Sequence, residues 1–414
     1  MTSYNNRGPS GAPRIAILGG GIGGLAAAAF LRRQGLGSTV YEQASQLTEV
    51  GAGVVVAPNA VRQLRRLGVL DQLRARAVQL DVGWEFRRWE DGRILSTENL
   101  AEQCERLYAE QTYTAHRADL LTAIRSAVPV DSLALDHPCV ELEVGSESDV
   151  AHRLHFSDGS VAEADVVVGA DGVHSTVRSA IFGIRPATYS GMCAFRALVP
   201  AAWAPEFARR PAQTLWIGPG HHLVHYPVSA GEYINVVAFA PAGGYTVESW
   251  TATATVEEFL AEFDRWDDRL TGLIRAAGTP GRWALLDRAP LTAWSAGSVT
   301  LMGDAAHPMF PFFAQGAAQA IEDAAVLAHC LADGLDHPAA ALKRYESIRI
   351  PRTTRIQNIS HGRAHINHLP DGPEQEARDA EYAREDPLIA NGWIYGYDPD
   401  VEYRELLSGD EVRI

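Results

Sequence analysis

Within residues 14–42 a short apolar run, spaced glycines, an alanine-rich stretch and a second apolar run follow one another closely. Residues 15–18 (Ile-Ala-Ile-Leu) suffice for one buried strand. Gly19, Gly21 and Gly24 then make G-x-G-x-x-G, residues 25–30 read as helix, and Glu42 closes the second run, Ser38-Thr-Val-Tyr. This is the strand–turn–helix–strand–acid order of a dinucleotide site. Glycines allow the tight turn and let backbone N–H groups approach a pyrophosphate, the helix N-terminus adds donors and partial positive charge, and Glu42 can accept bonds from a ribose. Glycine spacing alone is a weak signal, because Gly-rich turns are common. The strand, helix and acid around it predict nucleotide binding.

The rest of the chain must be compatible with that unit. At 414 residues it holds about two to three domains' worth of chain and a sizeable core. A net charge of −15 argues against nucleic acid or an anionic membrane as partner. The charge is uneven: residues 371–414 carry 13 acids and 4 bases. Cys104, Cys139, Cys193 and Cys330 lie far apart without C-x-x-C spacing, so neither a zinc site nor a disulfide framework is expected. Residues 15–31 are uncharged, but five glycines in phosphate-loop spacing argue against a membrane or signal segment. The expectation is a soluble, cytoplasmic protein.

Strand and helix patterns assign an α/β fold with a discontinuous Rossmann-like nucleotide domain, an inserted β-rich second domain and a C-terminal helical segment. Residues 1–12 are Gly/Pro/Ser/Asn-rich and expected to be disordered. The nucleotide domain takes 13–81, 108–183 and 285–340. The second domain takes 82–107 and 184–284, beginning with a hairpin around Asp91-Gly92. Residues 341–414 form a helix, expected to kink at Pro351, and an acidic tail containing Trp393, Tyr395 and Tyr397.

Two further glycine–acid turns follow apolar strands. Residues 165–169 lead to Asp171-Gly172, with Ser175 and Arg178 entering a helix; an ordinary Asp-Gly turn ending a strand reads the same way. Residues 299–302 lead to Gly303-Asp304, where a carboxylate can bind the hydroxyls of a polyol chain. Gly316 and Ala317 begin a helix whose N–H groups could face a group that becomes anionic, as a reduced flavin does. A merely buried helix after a strand end is the plainer alternative.

These three motifs in this order resemble the group A flavoprotein aromatic hydroxylases, which share the p-hydroxybenzoate hydroxylase fold. The resemblance covers residues 13–365. It implies that Gly19, Gly21, Gly24 and Glu42 hold the FAD adenosine half and that Asp171-Gly172 serves both FAD and a passing nicotinamide. It further implies that Asp304 binds the ribityl chain and that Arg117, in His116-Arg-Ala-Asp-Leu, reaches the FAD. The segment 303–323 and the C-terminal His368-Leu-Pro-Asp-Gly-Pro look most like salicylate hydroxylase and its 3-hydroxybenzoate 6-hydroxylase and 6-hydroxynicotinate 3-monooxygenase relatives.

The implied activity is hydroxylation of a phenolic aromatic acid with NADH or NADPH and O2 through a flavin C4a-hydroperoxide. Salicylate-like oxidative decarboxylation to a catechol is preferred. The other rings named above, or a natural-product phenol, are alternatives, and a non-catalytic flavin protein is a further one. In His221-His222-Leu-Val-His225-Tyr226, strand alternation puts His222 and Tyr226 on one face and His225 on the other. His222 and Tyr226 match a substrate-side pair of the 3-hydroxybenzoate enzymes, so His222 is the expected base and Tyr226 the orienting hydroxyl. The same histidines could be structural or, less readily, hold a metal; no nearby carboxylate or cysteine completes such a site, and none is predicted. Pro311 and Phe313 are expected to give the pocket an apolar wall of the salicylate type, where the 3-hydroxybenzoate enzymes carry a polar residue. Arg196 is the candidate for a substrate carboxylate and Arg87 its rival. The expected partners are a small aromatic acid and O2, with the chain a monomer or homodimer.

Overall fold

The computed structural model describes residues 13–47, 53–145, 151–184, 186–245 and 252–409. The expected disorder of residues 1–12 lies outside these. Four strands with almost wholly apolar sequences form the parallel centre of a six-stranded sheet. Val299–Leu301, Val166–Gly169, Ile15–Leu18 and Thr39–Tyr41 lie side by side, flanked by Ser295–Ala296 and Leu133–Ala134. Burial on both faces explains the unbroken apolar runs: all four residues of Ile15–Leu18 and of Val166–Gly169 are buried. Parallel pairing has a consequence for function. Ile15 aligns with Val166 and Val167 with Val299, so the turns after three adjacent strands emerge at one edge. Open α/β sheets bind ligands at that carboxyl edge.

The helices Ile22–Arg33 and Gly316–Gly334 pack closely beside this edge. A Cβ on Gly23 would come within 3.3 Å of the Ala320 Cβ.

The second large sheet has seven strands, in the order Gly281–Asp287, Thr188–Pro200, Tyr233–Pro241, His221–Val228, Ala212–Gly218, Val82–Arg88 and Ile94–Ser96. All pairings are antiparallel except Ala212–Gly218 with Val82–Arg88, which is parallel. That pair joins the ribbon at 82–96 to strands more than a hundred residues later. Alternation sorts the sheet's side chains. Phe195, Trp216, Leu223 and Val236 face the helices Val256–Glu262 and Asp268–Arg275, with the Phe195 and Phe259 rings stacked at 4.8 Å. Arg196, His222, Val224, Tyr226, Val237 and Phe239 face the other way, into a cavity.

The C-terminal helix Pro338–Asn367 runs through Pro351 as one element. The acidic segment beyond it folds back as further helices, among them Pro373–Tyr382 and Pro399–Ser408. Basic residues receive it. Arg66 pairs with Asp398 at 2.6 Å, the Arg352 guanidinium lies 3.6 Å from the Tyr397 ring centroid, and Arg355 lies 3.8 Å from that of Trp393. Tyr395 reaches the second sheet, accepting from Trp84 Nε1 at 3.2 Å and donating to Glu98 at 3.1 Å. The charge segregation seen in the sequence thus matches a docked strap. Among the described residues no helix is long and apolar enough to cross a membrane.

Glu98 provides a test of this docking. Burial raises its carboxyl to about 7, against bonds from the Trp84 backbone and Tyr395 that lower it. The folded chain then keeps a proton that the unfolded chain loses above about pH 4.5, so stability falls as pH rises between those values. Glu98→Gln should remove that slope in chemical unfolding and be more stable than the parent above pH 7, by up to about 3 kcal/mol. Parallel pH profiles of the two proteins would contradict this.

Candidate active site

The first glycine turn is shaped by close backbone approach. Gly19 has φ +106°, and a Cβ there would lie 2.3 Å from the Ala170 oxygen. A Cβ on Gly24 would lie 1.9 Å from the Gly19 oxygen. A Cβ on Gly21, by contrast, meets no protein atom within 4 Å, so this face of the turn is open space at a helix N-terminus. Glu42 is fixed at the adjacent strand end, its carboxylate accepting from Gly20 N at 2.6 Å and Ala44 N at 2.8 Å.

The Asp171-Gly172 turn follows the neighbouring strand. Asp171 Oδ2 accepts from Val177 N at 3.1 Å, while Oδ1 is buried without a partner among the described residues. Burial raises the Asp171 carboxyl above its usual range. Gly172 has φ +74° and open space around it. Arg178 ties this turn to the third, donating to the Val173 oxygen at 2.5 Å and the Ala305 oxygen at 2.9 Å. Asp304 sits exposed on a short 3-10 turn, Gly303–Ala305, at the cavity rim. Behind it the fully buried Asp323 accepts from Gly303 N at 3.0 Å and pairs with His307 at 2.6 Å.

These features fit FAD. The open glycine face and helix start suit a pyrophosphate, the carboxylates at strand ends suit ribose and ribityl hydroxyls, and the orphaned Asp171 oxygen suits a donor from the cofactor. Gly316 and Ala317 put the start of a 19-residue helix, whose first N–H groups have no intrahelical partner, on the cavity wall, where negative charge is favoured. Gly21→Ala separates cofactor contact from folding. Its thermal unfolding without flavin should match the parent while flavin content falls. Gly24→Ala should disturb the turn itself and lose flavin and stability together.

A single cavity of about 290 Å³ joins this edge to the seven-stranded sheet. Arg117, Asp304, Gly316 and Ala317 line one side of it, and Arg196, His222 and Tyr226 another. His222 is 1% exposed, its ring stacked 4.5 Å from that of Phe239 and edge-on to Phe312 at 5.0 Å. Burial, then the neighbouring His368 and His221, hold it well below the usual histidine range, so it is neutral. Burial likewise raises the Tyr226 phenol, which stays protonated. Tyr226 is pinned by a close backbone approach: a Cβ on Gly53 would lie 2.6 Å from its ring.

The three histidines of this strand go separate ways. His221 faces Glu262 at 3.2 Å, His222 the cavity, and His225 the core, where it accepts from Trp216 Nε1 at 3.3 Å. Arg196 lines the cavity, 4.7 Å from the Trp283 ring centroid. Its rival Arg87 is held elsewhere, donating to Glu85 at 2.8 Å and to the Gly92 oxygen at 3.0 Å. Pro311 lines the cavity, but Phe313 does not; Phe312 takes that place. The reason is the tight turn Pro311–Phe313, whose successive side chains diverge. Phe313 packs instead near Trp84 and under Arg363.

Sequence reasoning also passed over Arg178, Asp323 and His368 as supports of the site. The adjacent acids Glu322-Asp323 on a mostly apolar helix were a usable signal, because buried charges need partners.

The fold and cleft define an FAD-dependent aromatic monooxygenase. The chain belongs to the FAD binding domain family, whose model matches residues 13–360. It is 41% identical over 394 residues to 3-amino-4-hydroxybenzoate 2-monooxygenase PtmB3 of Streptomyces platensis, covering 95% of this chain and 97% of that one. It is 37% identical to 3-hydroxybenzoate 6-hydroxylase 1 of Aquipseudomonas alcaligenes, covering 84% and 87%. A salicylate hydroxylase substrate complex superposes with a TM-score of 0.80 at 26% identity, covering 95% and 97%.

Proposed function

We propose that the protein hydroxylates a ring bearing a carboxylate and a phenolic hydroxyl, with an amino-hydroxybenzoate as the preferred substrate. The observation that carries this is the juxtaposition of a neutral, buried imidazole and a protonated phenol with a flavin-type helix terminus across one cavity. The amino-hydroxybenzoate choice is supported by relatives that share 39–41% identity over nearly the whole chain and act on 3-amino-4-hydroxybenzoate. The cofactor, when bound, accepts hydride from NADH or NADPH and activates O2.

The chain's own residues do the rest. Arg196 holds the carboxylate, and Tyr226 donates a hydrogen bond that orients the ring. His222 Nε2, the ring nitrogen with no hydrogen bond among the described residues, accepts the proton of the phenolic hydroxyl. Apolar walls from Val224, Val237, Phe239 and Phe312 exclude water. A second reading, salicylate-like oxidative decarboxylation, is favoured by the apolar Pro311-Phe312 wall and by the likeness to salicylate hydroxylase.

The test is a panel of 3-amino-4-hydroxybenzoate, salicylate, 3-hydroxybenzoate and 6-hydroxynicotinate. Stimulated NAD(P)H oxidation, oxygenated product and CO2 release are scored for each. Product from 3-amino-4-hydroxybenzoate without CO2 is expected. Catechol and CO2 from salicylate alone would move the assignment to the second reading, and stimulation by none would reject both.

A further inference from the structure

The base identified above has a physical difficulty. An imidazole that is 1% exposed among Phe239 and Phe312 keeps an added proton poorly, because burial strips an imidazolium of its hydration and no carboxylate pairs with it among the described residues. A proton taken from the substrate must leave the cavity. The only group that hydrogen-bonds the His222 ring among the described residues is His368, whose Nε2 lies 2.5 Å from His222 Nδ1.

His368 comes from another part of the chain. It caps the C-terminal end of Pro338–Asn367, 146 residues beyond His222. Its backbone oxygen accepts from Gly220 N at 3.0 Å, which clasps it onto the turn that begins the His222 strand. Unlike His222 it is only half-buried, so the pair leads from the cavity towards the surface.

We propose that His368 is the exit of a two-imidazole proton wire that drains the substrate proton from His222 to solvent, an inference that rests on the function proposed above. The shared bond allows two tautomer arrangements, and the wire runs from one of them. His222 carries hydrogen on Nδ1 and offers Nε2 to the cavity; His368 accepts at Nε2 and carries hydrogen on Nδ1. In one transfer the substrate O–H bond breaks as His222 Nε2–H forms. His222 Nδ1–H breaks as His368 Nε2–H forms, and His368 Nδ1 gives its proton to water or buffer. The substrate becomes a phenolate, both rings end neutral with exchanged tautomers, and nothing is oxidised or reduced.

The surroundings agree. Burial, then His221, lowers His368 to about 4, so it too is poorly suited to store charge and suited to pass it on. Nearby titratable and charged groups include His221, Glu262 at 3.2 Å from it, and Arg282 at 3.9 Å from Glu262. His368 touches no substrate in this arrangement. It is a positioning and relay residue acting through His222.

His368→Gln tests the wire, because a carboxamide can still bond His222 but cannot pass a proton between two ring nitrogens. With FAD-loaded protein and 3-amino-4-hydroxybenzoate, the variant should keep its flavin content and thermal midpoint. Near pH 6.5 its coupled hydroxylation should fall about 10- to 100-fold. Near pH 9, where more ligand arrives already ionised, the deficit should shrink to about 2-fold or less, and imidazole added to His368→Ala should restore turnover. A second readout needs no turnover. Without NAD(P)H, proton release on ligand binding, followed with an indicator dye, should be at least about 10-fold slower in His368→Gln.

Equal turnover and equal proton release in the variant and the parent would overturn the wire while leaving the proposed function intact. A loss that is the same at every pH and unrescued by imidazole would make His368 merely structural, which also overturns it. A parent protein that neither releases protons nor turns over with any acid of the panel would reject the function, and the wire with it.

Discussion

His222→Ala is expected to lower hydroxylation by about 10²- to 10⁴-fold while leaving the protein yellow. Among the described residues its ring meets Phe239, Phe312 and His368, which belong to none of the three glycine–acid turns, so flavin content should not change. What is lost is the acceptor in a cavity walled by Val224, Val237, Phe239 and Phe312. Tyr226 cannot take over, because burial holds its phenol protonated and able to donate but not to act as base. His225, next but two along the strand, points into the core and accepts from Trp216. An unactivated ring reacts slowly with oxygen activated at the flavin, so NAD(P)H consumption should continue and appear as hydrogen peroxide. Product yield per NAD(P)H is the measurement that decides. Unchanged yield would remove His222 from the mechanism.

Arg349→Met is expected to destabilise the chain by about 3–5 kcal/mol and to release flavin. Arg349 is wholly buried and forks onto Asp323 and Glu322, both at 2.7 Å, with Gln319 Oε1 at 2.8 Å. Burial opposes ionisation of Asp323, but His307 and Arg349 outweigh it and hold its carboxyl at about 2. Methionine removes the charge and leaves Asp323 with His307 and Gly303 N alone, while Glu322 keeps Arg352. The consequence extends to the site, because Asp323 fixes Gly303 N and so the turn that presents Asp304. Chemical unfolding together with free-flavin fluorescence would report both effects. Loss of stability without loss of flavin would show that the buried network supports the helices but not the turn. Arg349→Lys should recover only part of the stability, since an ammonium cannot bond both carboxylates in fork geometry.

Much of the cofactor side was legible along the chain because its determinants are local. The apolar run at residues 15–18, the spacing of Gly19, Gly21 and Gly24, and the acids at 42, 171 and 304 each describe one strand and the turn after it. Alternation likewise separated His222 and Tyr226 from His225. Local patterns failed where a side chain's direction depends on a turn, as when Phe312 rather than Phe313 met the cavity. They also failed where partners lie far apart: Arg178 with the Ala305 oxygen, Arg349 with Asp323, and His368 with His222.

The amino-acid sequence by itself determined the parallel nucleotide-binding core, the three glycine–acid turns and which face of the histidine strand could do chemistry. Those follow from backbone sterics and from periodicity over a few neighbouring residues. Only the tertiary structure decided that Val82–Arg88 completes a sheet with Ala212–Gly218, that the acidic segment docks on basic helices, and that a second imidazole stands behind the first. Each of these is a meeting of distant segments. Such meetings are set by how buried surfaces and charges find partners across the whole fold, and no local repeat records them.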